Sequence, residues 1–343
     1  MSMHKLSSMV LAGAVLTTSF VQSGDTAPWP SDWNNWSDPA LWVTVGNPNN
    51  APDTRYTTPG YGSVDHVYNI GKFEVTAGQY TAFLNAVAKT DTYGLYSMSM
   101  WSDTYGCKIQ QSGTSGNYTY SVASDYANRP VNFVSFWDAA RFTNWLNNGQ
   151  GSGDTETGAY TLNGYSGNDG RTIVKNAGTK WWISSENEWY KAAYHKNDGV
   201  TGNYFDYPTG TNSIPARDTT EATNPGNNAN YNQSTFSYTT KVGEFELSDS
   251  PYGTFDQGGN LWEWNDTVVS QSTDWSSRGV RGGSFFWCPS GSLHASDHVD
   301  IYAPSHEEVG IGFRVASVPE PGSLAMLAGI ALTALLYWWR KRA

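Results

Sequence analysis

The residues best suited to chemistry lie in the last third of the sequence. Asp256 and Glu263 flank Gln257-Gly258-Gly259-Asn260-Leu261-Trp262, a stretch too glycine-rich for a good helix or regular strand and best read as a shaped turn locked by its tryptophans. Such a turn can bring both carboxylates and its own carbonyls onto one hard cation. The alternative is that the Glu263 carboxylate is satisfied by backbone donors of the turn. Cys288 follows, one of only two cysteines in 343 residues. A thiolate there is a nucleophile or a soft-metal ligand. Cys107 lies far upstream, and in an oxidising compartment the two can pair or stay free. His294-Ala295-Ser296-Asp297-His298-Val299-Asp300 sets two histidines four apart. On a helix they share a face, and with Asp300 as a third ligand they suit iron or zinc; solvated histidines are the plainer alternative. No Gly-x-Ser-x-Gly elbow, P-loop or dinucleotide fingerprint occurs in a suitable context.

These groups need a scaffold, and the chain supplies one in short pieces. Val67 to Val75 alternates as a strand, and Thr76 with Gln79 forms a capping box for a helix whose Tyr80, Phe83, Leu84 and Val87 recur on one face. Ser135 caps a second helix with Asp138 in its first turn and Ala139, Phe142 and Leu146 facing inward. Ser185 and Glu188 make another capping box, ahead of Trp189, Ala192 and Ala193. Asp91 to Asn128 is poor in periodic hydrophobics and reads as a long surface loop, and Tyr204 to Arg217 and Asn224 to Asn232 are turn-dense.

Gly259-Asn260-Leu261-Trp262-Glu263-Trp264, Arg281-Gly282-Gly283-Ser284 and Gly312-Phe313-Arg314-Val315-Ala316 together resemble the C-terminal half of the sulfatase-modifying factor family. That family is named for the formylglycine-generating enzymes and also holds relatives without their chemistry. Glu74-Val75-Thr76 between strand and helix, Arg129 to Leu146, and Trp182 to Ala193 extend the likeness. The resemblance implies a loop-rich α+β domain similar to C-type lectin domains. It implies a structural calcium held by the Asp256 side chain, the Gly259 and Leu261 carbonyls and the Glu263 side chain. For a second calcium only Asn230 and the Tyr231 carbonyl match, the acidic ligand expected before Val242 being missing.

The enzymes of the family oxidise a substrate cysteine with a copper(I)-binding cysteine pair. A soft ion held linearly needs two opposed thiolates, and oxygen does not substitute well. Here Cys288 lies one residue later than the first of that pair, and the place of the second is Leu293. Trp262 and Ser284 match residues lining the family's oxygen pocket. The expectation is therefore a binding module without catalysis, holding an extended peptide or a glycan near Trp262, Ser284 and Cys288, with copper not expected. The alternatives are a formylglycine-generating oxidase acting on a sulfatase cysteine, and a mononuclear non-haem iron enzyme using His294 and His298. Iron enzymes of the family carry ligands partly on a separate helical domain, which this chain lacks.

Composition agrees with a single aromatic-cored, turn-rich domain: Trp 16, Tyr 21 and Gly 35, with 15% charged residues. A net charge of −11 disfavours nucleic acid as a partner. Met1 to Gly24 reads as a secretory signal peptide, and 25–41 as a tryptophan-bearing lead-in that packs on the domain or stacks on carbohydrate. The domain is expected over 42–317. Val318-Pro319-Glu320-Pro321-Gly322-Ser323, the apolar run Leu324 to Trp339 and Arg340-Lys341-Arg342 resemble a PEP-CTERM sorting signal with a transmembrane helix. That resemblance implies an exosortase-type processing enzyme and export to the envelope or extracellular matrix of a Gram-negative bacterium. An ordinary membrane anchor is the alternative.

Overall fold

A computed structural model describes residues 32–217, 226–232 and 238–319. The signal peptide, Trp29 and nearly all of the sorting signal lie outside the described residues. Among the described residues no helix is long and apolar enough to cross a membrane.

The described part of the lead-in packs on the domain: Trp36 is buried against Trp42, Phe142 and Trp181 at ring separations of 5.8, 5.5 and 6.3 Å. Strand β1 (Trp42–Val45) then pairs antiparallel with β2 (Tyr68–Gly71). The strand expected over Val67 to Val75 stops at Gly71, because its partner begins at Trp42 and the chain then turns away. Beyond the turn, the Val75 N–H donates to the Phe313 carbonyl. Helix α1 (Ala77–Val87) starts at the expected box: Thr76 accepts from the Gln79 N–H and Gln79 accepts from the Thr76 N–H. Tyr80, Phe83 and Leu84 are its buried face.

The expected long surface loop is partly structured. It holds the short helix α2 (Ser99–Ser102) and a hairpin of β3 (Ile109–Ser112) and β4 (Thr119–Val122). Each of those strands buries a single residue, Ile109 and Tyr120, which is why the apolar pattern is faint. Helix α3 (Phe136–Asn147) opens with Ser135 and Asp138 capping one another, and 11 of its residues are buried. Phe142 is the hub, its ring 5.3 to 6.1 Å from those of Phe83, Tyr80 and Phe313. Truncating such a residue to alanine costs about 3–5 kcal/mol.

Strand β5 (Trp181–Ile183) leads into α4 (Glu186–Tyr194), capped by Ser185 and Glu188 as expected. After a long irregular region comes β6 (Trp262–Gln271), paired antiparallel with β7 (Ser276–Arg281) and parallel with β8 (Ile311–Phe313). Trp262, Glu263 and Trp264 thus belong to a strand, and only the residues before them form the turn. The last strand, β9 (Val315–Ser317), inserts between β2 and β5, so the first sheet runs β1-β2-β9-β5. The two residues flanking Arg314 therefore close both sheets at once. Helices few and short, strands short and loops long: this is a mixed α/β, loop-rich fold of the C-type lectin-like kind.

Candidate functional site

On β6, side chains alternate between two surroundings. Glu263 points into the interior, where both oxygens are met by Arg314: Nε to Oε2 and Nη2 to Oε1, each 2.6 Å. The Trp189 indole N–H donates to Oε2 at 2.7 Å, and neither charged side chain is exposed. Arg314 also donates to the carbonyls of Gly71 and Phe255, tying the β2 end and the turn to the same joint. Nearby, buried Glu74 accepts from Asn260 Nδ2 at 2.9 Å and from the Leu261 N–H at 3.1 Å. Burial, reinforced by the charges of Asp256 and Glu263, drives its pKa far above the carboxylate range. Asp256 sits at φ 61° and accepts from the Gly243 N–H at 2.5 Å. Burial pushes its pKa up to about 7.

The turn before β6 is fixed by close approach of backbones. Gly259 has φ +90°, and a Cβ there would lie 2.4 Å from the Asn230 carbonyl oxygen, so only glycine fits. That carbonyl accepts the Asn260 N–H at 2.7 Å, while Asn230 Nδ2 donates to the Tyr238 carbonyl and the Tyr231 hydroxyl to the Pro215 carbonyl. Calcium takes about six to eight oxygens. Of the set that the resemblance implies, Glu263 is committed to a guanidinium and an indole, leaving Asp256 and the Gly259 and Leu261 carbonyls. A dication would sit beside a buried guanidinium. Glu263 is shared with a guanidinium in this arrangement, and nothing below is routed through a calcium ion.

The neighbouring residue on β6 faces a different environment. Trp262 Nε1 donates to Cys288 Sγ at 3.1 Å, and Ser284 Oγ lies 3.4 Å from the same sulfur. Trp262, Ser284 and Cys288 are therefore brought together, as the sequence suggested. Gly310 closes the back, since a Cβ there would be 2.9 Å from Ser284 Oγ. Trp287, next to the thiol, is 69% exposed and held at φ 52°, a costly conformation for a bulky residue. Its ring is 6.2 Å from Phe286, which meets Tyr105 at 5.3 Å. Tyr302, stacked on His306 at 4.6 Å, is raised by burial and by the Glu308 carboxylate. Both cysteines are free, so the disulfide alternative is not realised. Cys107 is buried, its backbone N–H on Asn132 Oδ1 and its thiol pushed up to about 11 by burial.

The histidine expectation is corrected. His294 to Asp300 follows a 3-10 turn, Ser290–Leu293, and is not helical, so the spacing of four does not create a common face. His294 bonds Ser296 at 2.8 Å and lies between the rings of Tyr56 and Tyr207. His298 is exposed beside Tyr61, and Asp300 is exposed too. Among the described residues no three His, Cys, Asp or Glu side chains converge as a metal needs.

Sequence reasoning missed Arg314 and Glu74 as members of the Glu263 joint, and the fully buried Arg281 that pairs with Glu186. The available signal was a charged residue inside an apolar run, as in Gly312-Phe313-Arg314-Val315-Ala316 and Lys72-Phe73-Glu74-Val75. Such residues are almost never fully buried unless paired.

The profile of the sulfatase-modifying factor enzyme 1-like domain matches residues 40–318. No curated protein matches the chain. Among solved structures, CarF aligns at 21% identity and a TM-score of 0.52, over 81% of this chain and 98% of its own. Treponema denticola variable protein 1 aligns at 20% identity and a TM-score of 0.50, over 81% and 95%. PvdO from Pseudomonas aeruginosa aligns at 18% identity with a TM-score of 0.43, over 81% and 91%. Identities this low speak to fold alone. The match of the domain profile across most of the sequence, on a scaffold of that kind, places this chain in the sulfatase-modifying factor (FGE-sulfatase) family.

Proposed function

We propose that the protein is an exported, envelope-associated member of its family that works as a binding module for a peptide or glycan, without formylglycine-generating activity. The observation that carries this reading is the state of Cys288. Its sulfur is engaged by an indole N–H and a hydroxyl, while the other thiol of the chain is separately buried and held protonated well past neutral pH. A linear copper(I) site needs two accessible thiolates, and Leu293, at the place of the second, is buried. What remains is a half-buried Cys288 backed by buried Trp262 and Ser284, beside the exposed indole of Trp287, an edge suited to recognition.

Export rests on the signal-like N-terminus and the sorting-signal-like C-terminus, both read from sequence. The deciding experiment supplies purified protein with copper(I), oxygen and a sulfatase peptide containing the target cysteine, and follows the peptide by mass spectrometry. The peptide should keep its cysteine. Conversion to formylglycine, lost in Cys288→Ser, would establish the oxidase instead.

A further inference from the structure

Away from Cys288, the loop preceding β2 and the first turn of α4 form an open depression of about 360 Å³ lined by Ser63, Asp65, His66, Ser185, Asn187 and Glu188, with Val64 as its one aliphatic residue. Two of its polar groups are already committed. Glu188 Oε1 faces His66 Nε2 at 2.9 Å, and Oε2 accepts from the Ser185 N–H at 2.7 Å and from Trp182 Nε1 at 3.0 Å. The other nitrogen of His66 is 2.7 Å from Asp65 Oδ1, so the imidazole is clamped between two carboxylates. Lys175, over the Trp182 ring at 4.0 Å, adds its positive charge on the Glu188 side.

The uncommitted atoms describe the ligand. Asn187 spends Oδ1 on the Gly62 N–H and keeps its amide hydrogens; Ser185 Oγ accepts from the Glu188 N–H and keeps its hydroxyl hydrogen. Ser63 gives its hydrogen to the Asn50 carbonyl and keeps lone pairs, and Asp65, with its side chain 86% exposed at the mouth, keeps its second oxygen. Donors and acceptors thus alternate around one small space. An anion would meet two carboxylates. A cation would meet one free carboxylate and two neighbouring donors, on Asn187 and Ser185. An apolar ligand would gain nothing from the four groups, three of which, Ser63, Asp65 and Asn187, belong to exposed residues. Only a ligand whose own groups both donate and accept satisfies the set, and hydroxyls do.

We propose that this depression holds one neutral, polyhydroxylated sugar residue, either a free monosaccharide or the terminal residue of a glycan. His66 is a positioning residue, holding Asp65 at the mouth through its bond to buried Glu188. The site is independent of the Cys288 face, and either can fail without the other.

The test is Asn187→Asp. Its oxygen still accepts the Gly62 N–H, and a carboxylate in the first turn of a helix favours the helix, so folding is retained while the free donor becomes an acceptor. Full-length protein is titrated with neutral methyl hexosides, and with neutral oligosaccharides ending in the same sugars, by saturation-transfer NMR. Wild type should saturate sugar protons, and Asn187→Asp should bind about tenfold more weakly with an unchanged or higher Tm. Binding of the methyl hexosides identifies a free sugar as sufficient; binding of the oligosaccharides alone identifies a glycan end. Absence of any saturation, unaltered binding by Asn187→Asp, or displacement of the sugar by methylammonium or acetate overturns the proposal. Should Asn187→Asp not fold, Asp65→Ala, at an exposed position, must show the same weakening.

Discussion

Glu263 and Glu188 are two buried carboxylates with parallel surroundings and different fates. Each accepts an indole N–H, from Trp189 and Trp182 respectively. Each also bonds a cationic side chain from a distant part of the chain. For Glu263 the partner is Arg314, unexposed and always charged; for Glu188 it is His66, whose side chain is 47% exposed on the wall of the open depression. The first arrangement is a permanent rivet between β6 and the loop joining β8 to β9. The second can change its charge with the medium and faces a space open to ligands. A buried acid therefore does not by itself mark a functional site here; the exposure and titration of its partner distinguish scaffold from candidate site.

The largest expected effect breaks the rivet. Arg314→Met leaves Glu263 buried without its cation, close to Glu74 and Asp256, and removing one partner of such a pair costs about 3–5 kcal/mol. Urea unfolding should show this as a fall in midpoint, and the double variant Glu263→Leu with Arg314→Met should recover much of it, because no charge is then stranded. If Arg314→Met is as stable as the parent, the joint is not what closes the two sheets.

The two indoles sharpen the comparison at the next level. Trp189→Phe and Trp182→Phe each keep an aromatic ring and lose one N–H bonded to a carboxylate, a bond worth about 1.5–3 kcal/mol. Trp189→Phe should cost more, since Glu263 lies wholly within the interior, whereas water in the depression can replace the donor lost to Glu188. Equal losses by thermal melting would mean that the Glu188 side is as dry as the Glu263 side.

How much of this was legible in sequence follows the range of each interaction. The capping boxes at Thr76, Ser135 and Ser185 were readable because cap and partner lie three residues apart and need only local geometry. Trp262, Ser284 and Cys288 were grouped correctly through the motifs that carry them, and the sulfur contacts agree. The Glu263 to Arg314 pair spans 51 residues and depends on β9 inserting between β2 and β5, which no local pattern encodes. Arg314 was therefore not foreseen as the partner of Glu263. Glycines around Asn260 masked the start of β6, and the spacing of four between His294 and His298 makes no common face because that segment is not helical, which leaves the plainer reading of solvated histidines. The hairpin of β3 and β4 escaped because one buried residue per strand leaves almost no period to detect.

The smallest effect concerns the titratable partner. His66 is raised above 6.5 chiefly by its bond to Glu188, with Asp65 adding. Burial alone would raise Glu188 above 4.5, but His66, Lys175, the Ser185 N–H and Trp182 outweigh it and the net shift is downward. A histidine raised in the folded state contributes stability that is fully present below its unfolded pKa and is lost as pH climbs through the folded value. A depressed glutamate contributes stability present above its unfolded pKa and lost as pH falls through the folded value. The contact should thus be strongest in the mildly acidic window between the two. Replacing His66 with Gln removes the titrating member and should flatten the decline in Tm on the alkaline side of that window, leaving the Glu263 joint untouched because arginine does not titrate there. A wild-type Tm with no decline from mildly acidic to mildly alkaline pH, or an identical decline in His66→Gln, would show that Glu188 is held as permanently as Glu263 and that the contrast between the two joints is only one of position.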